Sequence, residues 1–246
     1  MRSGNIAVKR ATAKIDRFPK RSSTSVKERA PLAEQAYREI KRRILDNEFS
    51  PGTTILEQEL ALLLRMSRTP VREAAVRLAE EGLVEVRPRH GMRVLSISAD
   101  DMLHIYEILA ALESEAAGLI AEAGLSSDNI AALKQSVTDM DDALAADDLL
   151  SWAAADERFH GRLIDNCPNS RLHHLVYQFW DQAHRVRMMT LRLRPKPVTS
   201  NRDHRSLIKA IERREPERAR EVHRRHLLRS GKMLVELLQT HGFKAL

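Results

Sequence analysis

The chain has 246 residues, 43% hydrophobic and 4% aromatic, with nine glycines, nine prolines and a single cysteine, Cys167. This composition suits packed helical cores, excludes an intrachain disulfide and points to a reducing compartment. No apolar run approaches the ~18–20 residues needed to cross a bilayer, and the N-terminus lacks an apolar signal segment, so a cytoplasmic protein with no membrane partner is expected.

The net charge of +7 has one source. Residues 1–31 carry nine Lys/Arg against Asp16 and Glu28, and the rest of the chain balances. This stretch is rich in Ser, Thr and Lys and has no periodicity, so it reads as a disordered basic arm. Such an arm either attracts phosphates by counterion release or is a solvated tail.

Residues 32–97 read as one unit. Tyr37, Ile40 and Ile44 recur at helical spacing over 33–45, and Phe49-Ser50-Pro51-Gly52 breaks the pattern. A short helix, "EQELALLL" (57–64), precedes "RTPVREAAVRLAEEG". Ser67 or Thr69 can cap this third helix, Pro70 sits in its first turn, Val71, Ala74, Ala75 and Leu78 form its buried stripe, and Gly82 ends it. "LVEVRPRHGMRVLSI" reads as two short strands around Pro88-Arg89-His90-Gly91. Three helices followed by a hairpin give the order of a winged helix-turn-helix.

The residue chemistry matches that order. With the apolar stripe buried, Arg68, Thr69 and Arg72 occupy the exposed N-terminal part of the third helix, the end that enters a major groove. Arg can grip guanine O6/N7, and Ser67 and Thr69 suit phosphates. Arg89 and His90 form a basic wing beside Gly91, which would allow a close backbone approach to DNA.

The segment "PGTTILEQELALLLRMSRTPVREAAVRLAEEGLVEVRPRHGMRV" resembles the DNA-binding domain of GntR-type bacterial transcription regulators, most specifically in SRTPVREA. The resemblance implies DNA contacts by Arg68, Thr69 and Arg72 from the recognition helix, Gln58 from the preceding helix, and His90 and Gly91 from the wing. Some relatives have Arg where this chain has Gln58.

Residues 99–240 read as helices throughout: 100–123, from Ser126/Ser127 to about 146, 149–166, 169 to about 193, a segment through Ala210 after the break "RPKPVTSN", and a last helix opening near Pro216. The fold class is therefore mainly α, a winged helix-turn-helix followed by an antiparallel bundle of six to seven helices. Within "DERFH", Asp156 and His160 share one helix face. The spacing is weak by itself: Asp100 and His104 repeat it, with Asp100 more simply a capping or dipole partner at a helix start, and two ligands do not fill a coordination sphere.

"LESEAAGLIA", "DERFHGRLIDNCPNSRL", "RDHRSLIKAI" and "AREVHRRHLL" resemble the FCD effector domain of the FadR subfamily of GntR regulators. The resemblance implies one Asp and three His around a divalent ion, here Asp156, His160, His204 and His226, holding Zn²⁺, Ni²⁺ or Mn²⁺ with positions left for water or an effector carboxylate. His223 is expected to face elsewhere. Leu109 stands where many relatives carry Arg, leaving Arg162, Arg185 and Arg187 as candidate effector contacts.

The function implied is a ligand-responsive repressor, a homodimer on a pseudo-palindromic DNA operator, whose effector is a small organic acid. The alternatives are a constitutive DNA-binding regulator with a structural metal, or a metalloenzyme. The enzyme reading is disfavoured because the chain has no H-E-x-x-H, phosphate loop or nucleophile elbow, and Glu157 points about 100° away from Asp156 on the helix.

Overall fold

A computed structural model describes residues 31–240; the basic arm expected over 1–31 lies, but for Pro31, outside them. The N-terminal helices are α1 (Leu32–Leu45), α2 (Glu57–Leu64) and α3 (Arg68–Glu80), with strands β1 (Thr54–Ile55), β2 (Val84–Arg87) and β3 (Gly91–Val94). Ile40 and Ile44 of α1 meet Leu60 of α2 and Val71, Ala74, Ala75 and Leu78 of α3 in one fully buried cluster. The stripe expected on α3 is buried throughout, as are Ile40 and Ile44 of α1, whereas Tyr37 is only half-buried and Leu63 of α2 is exposed.

The wing is a three-stranded antiparallel sheet in the order β1-β3-β2, with Arg87 opposite Gly91 and Ile55 opposite Met92. β1 was not expected: two residues carry no readable alternation, and only their pairing with β3 makes them a strand. It also explains Gly91. This glycine is buried at φ +79°, and a Cβ there would collide with the Ile55 carbonyl and Leu56 Cα. Within the protein, the close backbone approach of Gly91 is to β1, which it lets pack beneath the wing.

Six longer or comparable helices follow: α4 (Ala99–Ala123), α5 (Ser127–Ala145), α6 (Leu149–Asp165), α7 (Ser170–Met189), α8 (Val198–Glu212) and α9 (Pro216–Thr240), with a 3₁₀ turn at Leu191–Leu193. Their starts are encoded locally. Ser98 Oγ accepts from the Asp101 N–H and Asp101 Oδ2 accepts from the Ser98 N–H, so Ser98, not Asp100, caps α4. Ser126, Asp148 and Asn169 cap α5, α6 and α7.

α4 runs along α9, and Gly231 sets their closest approach, since a Cβ there would lie 2.6 Å from Tyr106 Cβ. Two apolar clusters result, one around Trp152, Phe159, Leu163 and Ile211, the other around Met102, Tyr106, Val176 and Trp180. Where they meet, the buried residues turn polar: Glu113, Asp156, His160, His204, His223 and His226. Among the described residues no helix is long and apolar enough to cross a membrane.

α7 also faces the first unit. Lys41 of α1 lies 2.6 Å from Asp181 Oδ2 and 2.9 Å from Glu81 Oε2. Gln182 donates to the Glu81 carbonyl and Arg185 to the Leu95 carbonyl, both at 3.0 Å. Burial raises the Asp181 pKa and by itself would lower that of Lys41, but the hydrogen bond and ion pair with Asp181, with help from Tyr37 and Glu81, push the lysine upward.

Candidate metal centre and nucleic-acid face

Asp156 and His160 come from α6, His204 from α8, His223 and His226 from α9, and Glu113 from α4. Each is at most 8% exposed. One ring nitrogen each from His160, His204 and His226 lies within 4.8 Å of the others. Asp156 Oδ1 is 3.9 Å from His160 Nε2 and 3.7 Å from His204 Nε2, and His226 Nδ1 is 3.4 Å from Asp203 Oδ2. The structure thus brings together the four residues expected as ligands.

Their hydrogen-bonding state is informative. Asp156 Oδ1, both nitrogens of His204 and His226 Nδ1 are buried without a hydrogen-bond partner. Native interiors rarely tolerate so many unmet polar atoms in one place; a shared cation would satisfy Asp156 Oδ1 and one nitrogen of His204, whereas His226 Nδ1 already faces Asp203 Oδ2. Burial, followed by repulsion from the other histidines, holds His204 well below the usual imidazole range. Burial also lowers His226, against the raising effect of Asp203. A neutral imidazole is the form that ligates.

The second cluster is satisfied. Glu113 Oε2 accepts from His160 Nδ1 at 3.3 Å and His223 Nε2 at 3.1 Å. Burial raises the Glu113 pKa, but these two bonds and the charges behind them outweigh it and hold the carboxyl far below its ordinary range. Burial brings His223 down to about 4 despite Glu113. His160 is raised, because Glu113 and Asp156 overcome its burial. His223 therefore faces the cluster, contrary to the sequence expectation. It sits one turn before His226, and α9 buries both histidines while Arg224 and Arg225 between them stay exposed.

A cavity of about 180 Å³ opens beside the cluster, touched by Asp156, His160 and His226. Of the three candidate arginines, only Arg187 reaches it. Arg162 donates to the Ala132 carbonyl and Ser136 Oγ at 2.6 and 2.8 Å, and Arg185 is held on Leu95. Arg194, from the break read only as a connector, lines the cavity too. Glu157 turns away to His184 Nδ1 at 3.2 Å, as its helical position predicts.

On the other unit, Gln58, Ser67, Arg68, Thr69, Arg72, Arg89 and His90 are all exposed. Ser67 occupies the N-cap of α3 yet makes no side-chain capping bond, leaving its hydroxyl outward. Arg68 Nη2 sits 3.2 Å from Glu57 Oε2. Arg89 holds φ +67° at the tip of the wing.

The protein-family comparison finds two matches. Residues 32–94 match the bacterial regulatory proteins of the gntR family, and residues 104–229 match the FCD domain. The chain belongs to the GntR family, in its FCD-bearing, FadR-like branch.

Several similar GntR proteins are known. An HTH-type transcriptional regulator of Agrobacterium vitis, from the TAR-I ttuE-ttuC' intergenic region, is 44% identical over 52% of this chain and 77% of its own length. The HTH-type transcriptional repressor RspR of Escherichia coli K12 is 26% identical over 86% of this chain and 92% of its own. The solved structure of E. coli McbR/YncC superposes with a TM-score of 0.73 at 20% identity, covering 85% of this chain and 99% of that one, and so supports the fold. The relatives are transcriptional regulators, not enzymes, some of them repressors. DNA binding through the helix-turn-helix and regulation of transcription follow for this GntR protein, whose buried His/Glu clusters are compatible with a metal site.

Proposed function

We propose that this GntR protein is a repressor whose FCD bundle holds a divalent cation and reports a small acidic effector to the winged helix. The observation that carries the reading is the pair of orphaned groups, Asp156 Oδ1 and His204, gathered with His160 and His226 beside a cavity. One carboxylate and three imidazoles from three helices suit Zn²⁺, Ni²⁺ or Mn²⁺. Such an ion would supply a Lewis-acid anchor for an effector carboxylate.

Glu113 is the orienting partner. By accepting from Nδ1 of His160, it keeps the proton on that nitrogen and leaves the Nε2 lone pair toward Asp156 and His204. The proposed DNA contacts are Arg68, Arg72 and Gln58 toward base edges, Ser67 and Thr69 toward phosphates, and Arg89 and His90 from the wing. Gly91 supports that wing from beneath. Leu103, Ile108 and Leu228 are exposed apolar residues on α4 and α9, which supports a homodimer through the bundle and hence a pseudo-palindromic operator.

Transmission runs through α7. The same helix carries Arg187 into the cavity and Asp181, Gln182 and Arg185 onto the winged unit. An effector that binds one setting of α7 better than another shifts operator affinity by that difference and no more. The test is to strip the protein with chelator, reload it with each metal, and measure melting and operator retention with and without short organic acids. A metal-dependent rise in melting with no acid able to move the DNA equilibrium favours a purely structural metal.

A further inference from the structure

The cavity has a second recognition element besides the orphaned donors. Arg187, Arg194, Lys196 and Arg229 all line it, but three of them are engaged. Arg229 pairs with Asp203, Lys196 with Asp147 at 2.7 Å, and Arg194 donates to the Arg187 carbonyl at 2.7 Å. Arg187 pairs with no carboxylate among the described residues, and its Nη2 is buried without a hydrogen-bond partner. The guanidinium lies 5.8 Å from the centre of the Trp180 ring, within cation–π range, a contact that does not neutralise it. Arg187 is half-buried and feels Asp156, Glu157 and Glu113 only through longer-range charge, so its unbonded Nη2 is open to a contacting anion, and its planar fork fits a carboxylate or phosphate.

We infer that the effector carries two anionic groups, one directed to the cation held by Asp156 and the histidines and the other gripped by Arg187, with Arg194 beside it. This rests on the metal-cavity reading above. A volume of about 180 Å³ holds on the order of ten water-sized bodies, which limits the ligand to about four to six carbons or their phosphorylated equivalent. Thr199 and Ser200 at the cavity wall offer hydroxyls to such an acid. A monocarboxylate would satisfy one end and leave Arg187 bare.

The experiment uses full-length protein loaded with Zn²⁺ or Ni²⁺, with metal uptake measured first by chelator competition. Butyrate and succinate, matched in carbon count, are then titrated calorimetrically, alongside glycolate and 2-phosphoglycolate. The expected result is about 10- to 100-fold tighter binding of a dianion than of its monoanionic partner, the worth of a charge-assisted pair. Arg187→Gln should erase that ratio in a protein that still takes up metal and still binds the monoanion, and Arg187→Lys should restore part of it. Preference for succinate assigns the second group as carboxylate, and preference for 2-phosphoglycolate assigns it as phosphate. Equal affinity within both pairs, an equal loss for both members in Arg187→Gln, or no binding of any probe overturns the inference while leaving a metal-loaded protein intact. A chain that takes up no metal overturns the underlying reading instead.

Discussion

Glu113 Oε2 stands 3.3 Å from Nδ1 of His160, the nitrogen facing away from Asp156. Glu113→Gln keeps the size but can present an N–H to that nitrogen, favouring the tautomer whose proton sits on Nε2. The metal would then meet a donor instead of a lone pair. Metal affinity should fall about 10- to 100-fold, the usual effect of losing an orienting carboxylate. Competition against a chelator measures it, with circular dichroism to show that the bundle remains folded. Unchanged affinity would remove Glu113 from the site.

Proton binding gives a second expectation. His223, held at about 4, and His204, well below its ordinary value, stay neutral in the folded protein while their unfolded counterparts titrate near 6.5. A lowered folded pKa means stability that is complete above 6.5 and lost as pH falls toward the folded value. For His223 that loss is of order 3 kcal/mol at most across pH 6.5 to 4. His160 is raised and has the opposite sign, losing its contribution as pH rises through its folded value. The lowered histidines are in the majority, so metal-free protein should melt progressively lower from pH 6.5 to 4. Metal-loaded protein should lose its extra stability over the same range, because protons compete for the ligands. Melting temperatures flat across that range would contradict this balance.

The DNA face makes a sharper claim. Arg68 and Arg72 are exposed, and the one ion pair of Arg68 among the described residues is to a half-buried Glu57, so Ala at either position should change folding stability by about 0.5 kcal/mol or less. Each should still cost roughly 1–3 kcal/mol of specific operator binding if it reads a base. Titrating salt separates the roles, since losing a phosphate contact lowers the salt slope and losing a base contact relaxes sequence preference. A gel shift indistinguishable from wild type for both variants would refute the assignment.

How much of this was readable in advance depended on sequence distance. Apolar periodicity and capping residues are local, and they gave every helix from Leu32 to Thr240 within a few residues. The Asp156, His160, His204 and His226 set came from matching motifs, because spacing alone cannot bring α6, α8 and α9 together. His223 was missed because its partner Glu113 is 110 positions away in the chain. A histidine three residues before His226 also looks like any other residue on a charged helix. Arg194 was hidden by the Pro-rich break that reads as a connector, and the packing of Gly91 on β1 was not legible because that strand is only two residues long.

The contact between Lys41 and Asp181 carries the last prediction. It joins α1 to α7, the helix that also takes Arg187 into the cavity. Both side chains are 19% exposed, so the pair is screened less than a surface bridge, and breaking it should cost about 1–2 kcal/mol. Asp181→Asn leaves Lys41 with Glu81 and Tyr37, whereas Lys41→Met leaves a buried Asp181 carboxylate without its ammonium. The lysine variant should therefore be the less stable of the two. If α7 transmits effector binding, both variants should bind metal and acid as wild type does while the acid moves operator affinity less. The double variant should lose less than the sum of the singles, the signature of a direct pair. Measuring operator affinity with and without a saturating acid reads this coupling. A full wild-type response in both variants would show that the signal does not run through this contact.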